Sequence, residues 1–240
     1  MSLEVPEKYW RGPRKTEEIA VRSAVGMLEH IAAVLGRSDL AEVSMLDVGC
    51  GVKFSQAILN EGVAIGRYVG IDVSPRIIEF LASAVTDHRM AYQHFDARNE
   101  RYNPDGRPMD EVAELPVGGE QFDVICLFSV FTHLDPHDYV AMLRLLRPHI
   151  KPTGRLLYSL FIDEKTPGGH GLSDRLAAQF GDNVVGKTEG FRDLDPEKPL
   201  FKALYSRQHA IDLVAGTGWT IETIGDPIPF VQHLMVCAPS

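Results

Sequence analysis

The sequence predicts an α/β protein, doubly wound, with a mostly parallel sheet and helices on both faces. Three observations carry that expectation. Met45-Leu46-Asp47-Val48-Gly49-Cys50-Gly51 is a short apolar run that ends in a glycine turn. Tyr68-Val69-Gly70-Ile71-Asp72-Val73-Ser74-Pro75 follows as a second apolar run and ends in a carboxylate. Segments of helical period flank such runs, and open sheets of this class bind ligands at the carboxyl edge of their strands.

Taken in order, residues 1–36 form an N-terminal segment and a helix. Pro6-Glu7-Lys8-Tyr9-Trp10-Arg11-Gly12 mixes aromatics with charge, and residues 16–35 place Ile19, Val21, Val25, Leu28, Ile31, Ala32 and Leu35 broadly at helical spacing. Strands are expected over 43–48 and 67–72. Ser74 is a good N-cap and Pro75 a good first helical residue, and Ile77, Ile78, Leu81, Ala82 and Val85 repeat behind them. Residues 97–120 are polar, with Asn103-Pro104-Asp105-Gly106 as a turn signal, and read as a long surface loop. Phe122-Asp123-Val124-Ile125-Cys126-Leu127-Phe128 is a further strand. Asp135 and Pro136 start a helix whose buried stripe is Tyr139, Met142, Leu143, Leu146 and Ile150. Between 163 and 205 the apolar rhythm weakens around Gly168-Gly169-His170-Gly171, which suggests an inserted lid. A helix over about 206–217 and strands over 219–225 and 230–238 close a single domain spanning 1–240.

The chemistry of the two motifs is that of a nucleoside site. Gly49 and Gly51 carry no Cβ, so the chain can turn sharply, a ligand can approach closely, and nearby amides can act as donors. Asp72, at the end of the second strand, can accept hydrogen bonds from both hydroxyls of a ribose. A pyrophosphate-cradling G-x-G-x-x-G would need glycine where Phe54 stands, and no phosphate-binding G-x-x-x-x-G-K-[ST] occurs.

These residues resemble the class I S-adenosylmethionine-dependent methyltransferases. Leu46-Asp47-Val48-Gly49-Cys50-Gly51 is similar to the family's glycine motif, Asp72 to its ribose-holding acid, and Asp96, in Tyr92-Gln93-His94-Phe95-Asp96-Ala97, to the acid that contacts adenine. Residues 122–128 resemble its fourth strand, and Arg155-Leu156-Leu157-Tyr158-Ser159-Leu160 its fifth. The resemblance implies seven strands with an antiparallel terminal hairpin, and a cofactor held by Asp47, Gly49, Cys50, Gly51, Asp72, Val73, Asp96, Ala97 and Phe128. It also implies that Tyr9, Trp10 and Arg11, with His170 in the lid, line the substrate mouth. Lys53 departs from the pattern, since the family commonly has glycine there. A lysine implies a side chain directed away from the cofactor or a locally altered loop.

Composition narrows the partners. The chain has 240 residues, 45% of them hydrophobic, enough for a large core. A formal charge of −9 disfavours nucleic acid, whose binding relies on clustered Lys and Arg. No long apolar run suggests a membrane span, and no charged-then-apolar start suggests a signal peptide, so a cytoplasmic protein, monomer or homodimer, is expected. Cys50, Cys126 and Cys237 show no metal-ligand spacing and read as reduced core thiols; no metal is expected, because Asp135-Pro136 separates His133 from His137.

Methyl transfer is an in-line displacement at a sulfonium, so alignment of nucleophile and methyl supplies much of the rate. An acceptor hydroxyl benefits from a base, and His133, following the fourth strand, is the preferred candidate over His170, Tyr158 and His209. The chain lacks both the Asn/Asp-Pro-Pro-Tyr-like motif and the Pro-Cys nucleophile, which favours an O or N atom of a small organic molecule as acceptor. The alternatives are a protein that binds S-adenosylmethionine or S-adenosylhomocysteine without methyl transfer, and a nucleotide-dependent oxidoreductase.

Overall fold

A computed structural model describes residues 2–10, 16–195, 197–227 and 231–240. The elements are α1 (Glu17–Val34), β1 (Leu40–Val48), α2 (Lys53–Asn60), β2 (Ile65–Asp72), α3 (Pro75–Ala84), β3 (Met90–His94), β4 (Phe122–Leu127), α4 (Pro136–Leu146), β5 (Ile150–Ile162), α5 (Leu172–Phe180), β6 (Phe191–Asp193), β7 (Ala203–Tyr205), α6 (Arg207–Asp212), β8 (Trp219–Gly225) and β9 (His233–Pro239). Three helix starts follow from their caps. Thr16 accepts from the Ile19 amide, Asp135 from Asp138 and Ser206 from His209. Ser74 holds the N-cap position of α3 but makes no side-chain cap. Its own amide instead donates to Asp72 Oδ1 at 2.8 Å.

The main sheet runs β3-β2-β1-β4-β5-β9-β8. Its first five strands are parallel, and β9 lies antiparallel between β5 and β8. Strand order reverses at β1, so the carboxyl ends of β1, β2 and β4 open on one crevice. Side-chain alternation divides the core between two faces. Val43, Met45, Tyr68, Val124 and Cys126 face α1, α2 and α3. Leu46, Val48, Val69, Ile71, Ile125 and Leu127 face the side that carries Tyr139, Met142 and Leu143 of α4 and Ala210 of α6.

Four expectations are corrected. Residues 97–120 are not only a surface loop, because Met109, Leu115 and Val117 are buried in the core and bridges join Ala97 to Arg107 and Asn99 to Asn103. Ile150 opens β5 rather than extending α4, since Pro148 removes a helical donor. The last helix ends at Asp212 and gives way to turns before β8, where Gly216 and Gly218 have φ of 71° and 84°. The 163–205 insertion contains α5 and a β6–β7 hairpin, and β7 pairs in parallel with Phe161 and Ile162 of β5. Among the described residues the full sheet therefore has nine strands.

Candidate active site

The loop from β1 to α2 is fastened to the end of β2. The amides of Gly49 and Cys50 both donate to Ile71 O, at 2.8 and 3.1 Å, and that of Gly51 donates to Asp72 Oδ2 at 3.0 Å. The loop amides thus turn toward β2, contrary to the expectation that they would be available to a ligand. What the glycines provide is conformation: φ is 73° at Gly49 and 49° at Gly51. A Cβ on Gly49 would also come within 2.5 Å of Val130 Cγ2. Asp72 is wholly buried, with one carboxylate oxygen on Gly51 and the other on Ser74. Those bonds fix its plane at the junction of the two strand ends.

The other residues expected around the cofactor are placed as follows. Asp47 lies on the α1–α3 face with Met45, where Tyr68 Oη donates to its Oδ2 at 2.7 Å and Cys126 Sγ lies 3.6 Å from Oδ1. Burial pushes its pKa up to about 7. Its side chain therefore supports the strand from behind. Cys50 is buried and not in a disulfide among the described residues, and a Cβ on Gly70 would meet its sulfur at 3.0 Å. Half-buried Phe128 meets Phe54 edge-on at 5.8 Å, and Val73 O lies 3.1 Å from His94 Nε2. Asp96 is paired with Arg107 Nε and with Asn103 Nδ2, both at 3.2 Å; the arginine, then the asparagine, hold its carboxyl below the usual range. Ala97 is fully buried, its amide bonded to Phe95 O. Lys53 is exposed at the first turn of α2.

On the other side of the crevice, a short 3-10 turn over Phe131–His133 follows β4. His133 Nδ1 lies 3.0 Å from Leu200 O, so the insertion reaches this residue. Leu200 has φ of 56°, and its amide donates to Asp193 Oδ2 at 2.7 Å. Arg101 covers the Phe201 ring at 5.3 Å, which joins the insertion to the loop after β3. Tyr9 stacks on Phe80 of α3 at 4.6 Å, and Trp10 Nε1 donates to Val5 O. Arg11 lies outside the described residues. His170 is exposed in the loop before α5, and His209 stacks on Tyr205. Tyr158 is fully buried, shares a hydrogen bond with Tyr139, and has its pKa pushed far up by burial, so its hydroxyl cannot serve an acceptor.

Residues 46–156 match the family model described as a methyltransferase domain. Solved structures of the same fold include the pyocyanin biosynthetic protein PhzM, at TM-score 0.55 and 17% identity, covering 90% of this chain and 55% of that one. Magnesium protoporphyrin IX methyltransferase from Synechocystis PCC 6803, with bound S-adenosylhomocysteine, aligns at TM-score 0.52 and 15% identity over 97% of this chain and 91% of that one. The 1,6-didemethyltoxoflavin-N1-methyltransferase of Burkholderia thailandensis, with its substrate and S-adenosylhomocysteine bound, aligns at 0.54 and 17% over 94% and 80%. The chain spans about half the length of several such proteins and most of others.

The matched stretch runs from the last residues of β1 to the middle of β5, so the glycine loop, Asp72, Asp96 and His133 fall inside it. Two polar groups at its margin escape sequence reasoning. Ser129, Ser159 and Gln232 hydrogen-bond to one another where β4, β5 and β9 meet. Glu164, just beyond β5, makes a two-pronged ion pair with Arg207, and His233 Nε2 lies 3.0 Å from its Oε1. Burial holds His233 below its ordinary pKa. The acidic pair Asp163-Glu164 after a strand is the signal that would have found Glu164; nothing in residue type marks Ser129. A cavity of about 670 Å³ between the 109–119 segment and α4 shares no residue with the glycine loop.

Proposed function

We propose that the protein is an S-adenosylmethionine-dependent methyltransferase that moves a methyl group to an O or N atom of a small organic molecule, releasing S-adenosylhomocysteine. The carrying observation is the meeting of the Gly49–Gly51 loop with Asp72, within a stretch that matches a methyltransferase domain. Asp72 is oriented by two backbone amides, which suits a carboxylate whose task is to receive a ribose diol at a set angle. The Gly49–Gly51 turn would border the methionine part of the cofactor, and Phe54, where a third glycine would stand, argues against a dinucleotide. Asp96, with Arg107 and Asn103, would border the adenine.

The acceptor side requires a group that can take a proton. His133 meets that need in this reading. Its Nδ1 lies 3.0 Å from Leu200 O, so the insertion would orient the ring that takes the proton.

Titration calorimetry with S-adenosylmethionine, S-adenosylhomocysteine and NAD tests the cofactor. The first two should bind, and Asp72→Ala should weaken both by on the order of 1–3 kcal/mol, the cost of leaving ribose hydroxyls unpaired. Binding of NAD alone, or affinity unchanged in the variant, would overturn the assignment. With an accepted substrate, His133→Ala should keep S-adenosylhomocysteine affinity and slow turnover about 10²-fold. Full turnover in that variant would remove its role as base.

A further inference from the structure

We propose that Ser129 and Gln232 form the subsite that holds a carbonyl or phenolate oxygen of the methyl acceptor; the inference rests on the methyltransferase reading and deepens it.

The starting point is strain. Ser129, two residues beyond β4, has φ of 61°, a region that residues with a side chain rarely adopt and that glycine would occupy freely. The strained turn abuts the cofactor loop, because its next residue is the Val130 against which Gly49 packs. What secures the turn is a chain of hydrogen bonds across three strand ends. The Ser129 amide donates to Ser159 Oγ at 2.9 Å, and Ser159, buried on β5, donates its own proton to Gln232 Oε1 at 2.5 Å. Gln232 immediately precedes β9.

The directions in that chain determine what faces a ligand. Since Oε1 of Gln232 accepts from Ser159, Nε2 is the edge turned to Ser129, where it donates to Oγ at 2.9 Å. One Nε2 hydrogen is spent there, and the second has no acceptor among the described residues. The Ser129 hydroxyl proton has only a 3.2 Å contact with Oε1, an oxygen already engaged at the shorter distance. Two neutral donors therefore stand side by side on an exposed serine and a half-buried glutamine. A ligand oxygen with two lone pairs can satisfy both at once, whereas an ammonium brings only donors and meets none. A carbonyl oxygen fits, and a phenolate fits better, because hydrogen bonds to an anionic oxygen are the stronger kind. Held there, such an oxygen lies beside the cofactor loop on the acceptor's side of the crevice.

The test loads the full-length protein with S-adenosylhomocysteine and titrates it with 4-nitrophenol, whose phenolate is coloured and whose phenol is not. The wild-type protein should bind the probe and shift it toward phenolate at a fixed pH. Ser129→Gly, which suits the backbone while removing the hydroxyl, and Gln232→Leu should each weaken probe binding by about tenfold or more, with S-adenosylhomocysteine affinity unchanged by calorimetry. Equal probe affinity in both variants, or no spectral change in the loaded wild-type protein, would overturn the subsite and leave the cofactor assignment standing. Failure of the wild-type protein to bind S-adenosylhomocysteine would overturn both.

Discussion

Asp47 illustrates how one residue can belong to a motif and yet act through the core. It ends the apolar run of β1, but strand parity turns its carboxyl toward Tyr68 and Cys126 rather than into the crevice. Burial, only partly offset by those hydrogen bonds, raises its pKa to about 7. The folded protein therefore keeps a proton that the unfolded chain gives up near pH 4. Between about pH 4 and 7 the native state binds more protons, so this residue's contribution to stability falls as pH rises, by up to about 1.4 kcal/mol per unit. Asp87, Asp123 and Glu164 are shifted down and act in the opposite sense, so only a difference against a variant isolates Asp47. Urea unfolding of the wild type and of Asp47→Asn, across pH 4 to 8, should show the variant gaining on the wild type as pH rises, by a few kcal/mol in all. A difference that does not vary with pH would show that Asp47 titrates normally.

Within the insertion between β5 and α6, one side chain gathers several backbone and hydroxyl donors. Asp163, the first residue after β5, accepts from Ser173 Oγ at 2.7 Å, from the Gly186 amide at 3.1 Å and from the Thr188 amide at 3.0 Å. One carboxylate thus ties the sheet edge to α5 and to the turn that leads into β6. Asp163→Ala should raise amide hydrogen exchange over 172–188 while β1, β2 and β4 stay protected, since the loss of these bonds acts on a local opening. Uniform loss of protection across the chain would mean that the insertion is part of the global unfolding unit. How much of this was legible varies by element. The strands and helices of the cofactor half follow from apolar period and caps, as Thr16, Pro75 and Asp135 show, because each is decided by neighbours in sequence. The insertion's fold was not legible, because a buried carboxylate collecting donors from α5 and from the 186–188 turn leaves no periodic trace. The same holds for Met109, Leu115 and Val117, single apolar residues in a polar run that bury only through tertiary packing. At the site, Asp72 and the Gly49–Gly51 turn could be read from type and spacing, whereas Ser129 could not, since its significance lies in a positive φ and in partners 30 and 103 residues away.

For the whole molecule, the decisive fact is that the two halves of the core share one set of strands. Met45 and Leu46, or Cys126 and Leu127, are adjacent in sequence and face opposite sides of the same sheet. Neither face can lose its packing while the other keeps it, because unpairing β1 from β4 strips both. We therefore infer that residues 1–240 behave as one domain, and calorimetric unfolding should show one transition whose van't Hoff and calorimetric enthalpies agree. A second, separate transition would assign part of the chain to an independent unit. Cofactor binding draws on the same unity. Asp72 and Gly51 lie at the ends of two central strands, so a ligand joining them stabilises the sheet rather than a peripheral loop. S-adenosylhomocysteine at about 100 times its dissociation constant should add about 2.7 kcal/mol. For a domain of this size that is a rise in Tm of about 5–10 °C in the single transition. In Asp72→Ala the rise should shrink at equal ligand concentration, with the unliganded transition still single. If the ligand instead sharpened or shifted only part of the unfolding curve, the site would be coupled to a subregion and not to the central sheet.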